Sequence, residues 1–271
     1  MGMFINTNVG AINANRNLSF NNTQMGKTME KLSSGYRINR AADDAAGLAI
    51  SEKMTYQING LNQAQRNAQD GISFLQTAEG DLTEVHSMLQ RMNTLANQSA
   101  NGTYVTEDRK KLQLEVSQLL TEIGRVTDNS KFNGVNLLNT AATVDFQIGV
   151  SKAETLTVKL SNNGVKSLNV SGISVSSVAG AKLAMSAIAG AIDTVSTNRA
   201  QLGAYQNRLE HTINSLGVTS ENLSAANSRI KDADMATEMT AFTKNQILVQ
   251  AGTAMLAQAN SAPQAVLKLL G

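Results

Sequence analysis

Two histidines, two acidic pairs and eleven methionines are the residues of this chain with the most useful chemistry, and none is spaced for catalysis. His86 and His211 lie far apart, and neither opens a His-Glu-x-x-His metal motif. Asp43-Asp44 and Asp232-x-Asp234 could face a cation, but they lack the glycine and closing glutamate of a calcium loop. Helix capping or pairing between subunits suits them better. No glycine-rich loop cradles a phosphate, and no Gly-x-Ser-x-Gly elbow presents a nucleophile. Cysteine is absent, which excludes disulfides, thiol catalysis and thiolate metal sites. Methionines at helical spacing read as adaptable packing. The sequence therefore points to a protein that is not an enzyme, with no cofactor and no metal.

The composition points to long helices. Aromatic residues make up 4% of the 271, there is no tryptophan, and Pro263 is the single proline. Ala, Leu, Ile, Val and Met carry most of the apolar fraction, which suits stripes along helices better than a deep core. Few forced breaks interrupt those helices. A net charge of +2, with 16% charged residues, is too weak and too mixed for a nucleic-acid partner. Arg109-Lys110-Lys111, flanked by acids, reads as a solvated helix face. The N-terminus lacks the basic start and apolar run of a cleaved signal peptide. No stretch approaches the roughly 20 apolar residues of a membrane span.

The elements follow from period. Residues 4–33 carry Ile5, Val9 and Ile12, then Met25, Met29 and Leu32, at steps of four and three. Ser33-Ser34-Gly35 ends this helix, and Asp43 or Asp44 is placed to cap the next. From Ala45 to Ser99 the stripe runs through Met54, Ile58, Leu61, Ala68, Ile72, Leu75 and Leu82, then shifts to Val85, Leu89, Met92 and Ala96. Such a helix is roughly 80 Å long. Thr106 is the expected cap of a third helix, striped at Leu112, Val116, Leu119, Ile123 and Val126. Alternation at Val144, Phe146, Ile148 and Val150, and at Leu156, Val158 and Leu160, marks a small antiparallel β insert over residues 132–178.

The next helix keeps strict four-three spacing from Ile188 to Ile230, with Arg199, Gln206, Ser220 and Asn227 interrupting the seam. Those polar residues either fix register or sit at the seam's wet margin. The last stripe is Met235, Met239, Phe242, Gln246, Val249, Leu256 and Ala259. The fold class expected is mainly α: a long antiparallel helical coiled-coil bundle with a small β-hairpin region and with the N- and C-terminal helices paired. The paired ends, residues 1–43 and 232–271, form one domain, and residues 44–231 form a second that holds the insert. A two-helix pair with so thin an interface is marginal alone and needs neighbours to cover it.

The chain resembles bacterial flagellin at both ends. Ile5-Asn-Thr-Asn-Val, Lys31-Leu-Ser-Ser-Gly and Ala41-Ala-Asp-Asp-Ala-Ala-Gly-Leu-Ala-Ile-Ser-Glu-Lys-Met54 are similar to the family's N-terminal signature. Ser228-Arg-Ile-Lys-Asp-Ala-Asp-Met-Ala-Thr-Glu-Met239 and Ala257-Gln-Ala-Asn-Ser-Ala-Pro-Gln-Ala-Val-Leu267 are similar to the C-terminal one. The resemblance implies an inner tube made of the terminal helices and an outer tube made of the longer ones. Variable outer domains have no room here, nor does the metalloprotease domain that some flagellins carry. It implies a secreted subunit of the flagellar filament, exported without a cleaved signal, whose partners are further copies of itself, an export chaperone, the filament cap and hook–filament junction proteins. A hook–filament junction protein is the alternative, sharing related terminal helices.

A narrower resemblance concerns Toll-like receptor 5. Leu89-Gln90-Arg91-Met92-Asn93-Thr94-Leu95-Ala96-Asn97-Gln98 is similar to the segment of flagellins which that receptor recognises. Arg91 and Leu95 match, and Glu115 falls at the position of the supporting acid, whereas Asn93, Thr94 and Asn97 depart from the pattern. Arg91 would supply a bidentate anchor and Leu95 an apolar plug, with Gln90 beside them. The same residues would serve equally as contacts between subunits.

Overall fold

The computed structural model describes residues 7–270, and side chains over residues 7–261. The predicted stripe residue Ile5 lies outside them. Five helices and two small hairpins follow in the order α1 (Val9–Ser34), α2 (Ala45–Ala100), α3 (Thr106–Asn129), β1 (Lys131–Phe132), β2 (Val135–Asn136), β3 (Thr143–Gln147), β4 (Thr155–Lys159), α4 (Val178–Lys231) and α5 (Met235–Leu270). The mainly helical class with a small β-hairpin region is as expected.

Side-chain oxygens start three of the helices. Asn8 Oδ1 accepts the Ala11 amide at 3.1 Å, and Asp44 Oδ1 accepts the Gly47 amide at 2.8 Å. Asp234 receives the Ala236 amide at 3.0 Å and the Thr237 hydroxyl at 2.9 Å. Each satisfies donors that a helix start leaves open. The Thr237 hydroxyl, with the Thr237 and Ala236 amides, holds Asp234 below the usual carboxylate range. Asp43 is held low in the same way by the Arg40 and Asn39 amides. Both acidic pairs are thus used in local turns and caps. The expected cap at Thr106 is not formed: Val105 is the cap residue and makes no side-chain cap bond. Thr106 is already helical, and Glu107 and Asp108 meet the exposed donors as charges.

The chain divides into two compact units, residues 1–56 with 221–271 and residues 57–220. In the first, α1 ends where Gly35 turns left-handed at φ 76° and its amide donates to Lys31 O at 2.8 Å. Glycine takes that conformation without a Cβ penalty. The break before α5 lies beside this one. Arg37 donates its amide to Lys231 O at 2.7 Å, and Ala233 donates to Gly35 O at 2.9 Å. Lys231 Nζ sits 4.8 Å from the centre of the Tyr36 ring.

In the second unit, one core joins α2, α3, α4 and the hairpins through residues such as Leu75, Leu89, Ile123, Val158, Ile188 and Leu209. Asn133-Gly134 joins β1 to β2 with φ of 48° and 83°, the pair of left-handed residues that a tight hairpin turn requires. Val144 pairs with Val158 and Phe146 with Leu156 across the second hairpin. Phe74 meets Phe132 and Phe146 edge-on at 5.6 Å each, fastening both hairpins to α2. Beyond β4 the insert has no further strand, yet Leu168, Val170 and Val175 are buried.

The polar residues of the α4 seam are half-buried and reach across to α2. Gln206 Nε2 donates to Glu79 at 3.2 Å, and Arg199 lies 3.6 Å from the same carboxylate. Ser220 donates to Asn62 at 3.1 Å, and Asn227, in the first unit, donates to Thr55 at 3.3 Å. Such pairs occur only at matched heights, so the seam's register is marked by hydrogen bonds as well as by apolar fit. One window of α4 reaches a mean hydropathy of 1.3, long and apolar enough to cross a membrane by length and composition. This corrects the expectation that no stretch approaches a membrane span. Ala181, Ala184, Ile188, Ala191 and Val195 of this helix join the core, so its apolar row has partners within the chain.

Arg109 corrects the reading of its basic triplet as a solvated face. It is 8% exposed, and its guanidinium donates to Ser99 O and Asn101 O at 2.9 Å each. It closes the carbonyl end of α2, where a cation is favoured. Arg109→Ala is expected to lower the stability of the second unit by about 2 kcal/mol, because two charge-assisted bonds are lost and the carbonyl of buried Ser99 loses its donor. Chemical denaturation followed by circular dichroism would measure it.

Candidate assembly and recognition surfaces

The terminal helices pair along a thin antiparallel seam. Asn8 Nδ2 donates to Ala259 O at 2.7 Å near one end, and Lys31 Nζ binds Glu238 Oε1 at 2.9 Å near the other. Between them, a Cβ placed on Gly252 would stand 3.3 Å from Leu18, so the backbones run close. Half-buried or buried positions recur on α1 at Ala11, Ala14, Leu18, Asn21, Met25, Thr28 and Leu32. On α5 they recur at Phe242, Asn245, Val249, Gly252, Leu256 and Ala259. Both rows keep three-four spacing, the mark of two helices in register.

This seam divides the predicted stripe. Met25, Leu32, Phe242, Val249 and Leu256 belong to it, whereas Val9, Ile12, Met29, Met235 and Met239 are exposed. The reason is size. Ala11, Ala14 and Gly252 allow close approach but carry little hydropathy, so the larger residues on other sides dominated the sequence pattern. Phe20, Ile247, Leu248 and Met255 are further exposed apolar residues that the stripe omitted. By spacing, Val9, Ile12 and Phe20 lie on the side of α1 away from its seam. A helix that is apolar on more than one side is normally buried on more than one side.

The Arg91 group lies in the second unit. Arg91 Nη2 and Nε each reach Glu115 Oε1 at 2.7 Å, joining α2 to α3 on the surface, with both side chains largely exposed. Gln90, one residue earlier, is exposed, and its Nε2 meets His86 Nε2 at 2.9 Å. Leu95 is different. It is 1% exposed and belongs to the core. The expectation of an apolar plug at Leu95 is therefore corrected: α2 turns Arg91 outwards and Leu95, one helical turn later, inwards against the core. Arg91 already spends its guanidinium on Glu115, so the pair offers a combined polar edge.

Among the described residues no three acidic or imidazole side chains converge on a metal position. His211 is exposed on α4, whereas His86 is half-buried on α2 with Nδ1 lacking a partner.

Comparison with known proteins matches residues 5–143 to the bacterial flagellin N-terminal helical region and residues 185–270 to the C-terminal helical region. The chain belongs to the bacterial flagellin family. It is 53% identical to a flagellin of Halalkalibacterium halodurans, covering 99% of this chain and 100% of that one. It is 49% identical to the flagellar filament 33 kDa core protein of Treponema phagedenis at the same coverage. Among solved structures, the crystal structure of Bacillus cereus flagellin is similar with a TM-score of 0.52 and 32% identity, over 60% of this chain and 94% of that one. Residues 144–184, between the two matched regions, hold β4 and most of β3, which leaves no room for a separate outer domain.

Leu95→Ala is expected to cost about 2–5 kcal/mol, the cost of a core truncation. Arg91→Ala is expected to cost about 0–1 kcal/mol, as an exposed ion pair does. Parallel denaturation curves of the two variants test this contrast.

Proposed function

We propose that the chain is a structural, non-enzymatic subunit that polymerises into the bacterial flagellar filament, outside the cell. The observation that carries this reading is the terminal helix pair, which has a thin seam and large apolar residues on other sides as well. Further copies of the chain would cover those sides. Contacts between unlike faces propagate as an open helix instead of closing into a ring. The name of the Treponema phagedenis relative, a filament core protein, supports the same role.

In this reading the domains are an inner one, residues 1–43 with 232–271, and an outer one, residues 44–231, carrying the β insert. The paired breaks around Gly35 and Ala233 support a boundary there. Before assembly, an export chaperone would cover the apolar faces of α5, and the filament cap and junction proteins would meet the same terminal helices. A chain lacking residues 235–271 is expected to keep the helical centre yet fail to elongate filament seeds, as read by electron microscopy. Normal filaments from the truncated chain would refute the mechanism. Failure of the full chain to grow beyond short assemblies would favour a hook–filament junction protein instead.

A second role concerns the free subunit. The exposed Arg91–Glu115 pair beside Gln90 is a polar edge suited to Toll-like receptor 5, with Leu95 supporting it from beneath. Because Asn93, Thr94 and Asn97 depart from the recognised pattern, the response would be weaker than that to flagellins keeping it. Arg91→Ala is expected to reduce signalling in a receptor reporter cell by on the order of tenfold, the effect of losing an interface anchor. An unchanged response would remove the receptor from the account.

A further inference from the structure

The methionines are not distributed evenly between surface and core. Among the described residues, those exposed are Met29, Met235, Met239 and Met255, at 51%, 47%, 51% and 64%. All four stand on α1 or α5. In the second unit, Met92 is fully buried and Met88 and Met185 are partly buried against the core. Cysteine is absent from the chain, so thioethers are its only oxidisable sulfur.

We propose that these four methionines are a reversible oxidation site through which peroxide stops the free chain from assembling. This rests on the polymerisation reading above. One oxygen of hydrogen peroxide bonds to a methionine sulfur as the O–O bond breaks, and the remainder leaves as water. The sulfur is oxidised by two electrons and the peroxide reduced by two. The product replaces a flexible apolar side chain with a polar one carrying a strong acceptor. On α1 and α5 that acceptor stands on a face that must leave water to pack on the next subunit. A buried acceptor without a donor is costly, so four together oppose docking. Reversal is methionine sulfoxide reduction by two thiols, which form a disulfide and release water. Within a finished filament the same sulfurs are covered, so the sensitivity belongs to the chain before it is added.

The experiment uses the full chain, filament seeds and hydrogen peroxide. Peptide mass spectrometry is expected to find the four sulfurs oxidised ahead of Met92, and more slowly in filaments than in free chain. Seed elongation is expected to fall by on the order of tenfold after treatment, and to return after incubation with methionine sulfoxide reductases and a dithiol. In a chain with Met29→Leu, Met235→Leu, Met239→Leu and Met255→Leu, peroxide should leave elongation at that variant's own untreated rate. If that variant does not assemble, recovery of the native chain by the reductases decides the matter alone. Elongation at the untreated rate by chain shown to carry the four sulfoxides overturns the inference, as does loss that the reductases cannot reverse. If untreated chain fails to elongate seeds, the polymerisation reading itself falls, and this inference with it.

Discussion

A long amphipathic helix has to be covered along its whole apolar row, and this requirement governs the rest of the molecule. Isolated helices are marginal in water, so α2 and α4, at 56 and 54 residues, need continuous partners. Over residues 57–220 they find them in each other, in α3 and in two hairpins. Leucine, alanine, valine and isoleucine fill the seam, and Glu79 and Asn62 receive the polar side chains that interrupt it. Beyond that stretch the ends of α2 and α4 still meet at Thr55 and Asn227, and α5 packs on α1. Two helices can cover one side of each other, and the remaining apolar residues are left for other molecules.

Much of this was legible in the sequence because long helices repeat their pattern many times. The α4 spacing, the shift of stripe within α2 and the β alternation all correspond to observed elements. Legibility failed where the decisive side chain was small or where the chemistry was not local. Ala11, Ala14 and Gly252 make the terminal seam by allowing close approach, which hydropathy cannot register. Arg109 looked like part of a charged run because its acceptors, Ser99 O at the end of α2 and Asn101 O just beyond it, lie outside its own helix. Leu95 resembled a contact residue by motif, but its orientation depends on which side of α2 the core occupies.

The Arg91 group shows how a motif can be retained while its parts do different work. Arg91 and Glu115 tie two helices together at the surface, and Leu95 holds one of them from inside. A surface built in this way keeps its shape when a single exposed neighbour changes, because the backbone beneath it is fixed by the core. The frame on which Arg91 is mounted therefore does not depend on Asn93, Thr94 or Asn97, none of which belongs to the core.

The side-by-side breaks at Gly35 and Ala233 carry a mechanical consequence. Two segments interrupted at different heights would flex separately, each as its own weak point. Here reciprocal amide bonds cross between the breaks, Arg37 to Lys231 and Ala233 to Gly35, so neither segment can turn without drawing the other with it. The two crossings hold both breaks at one height, so the paired segments change direction together.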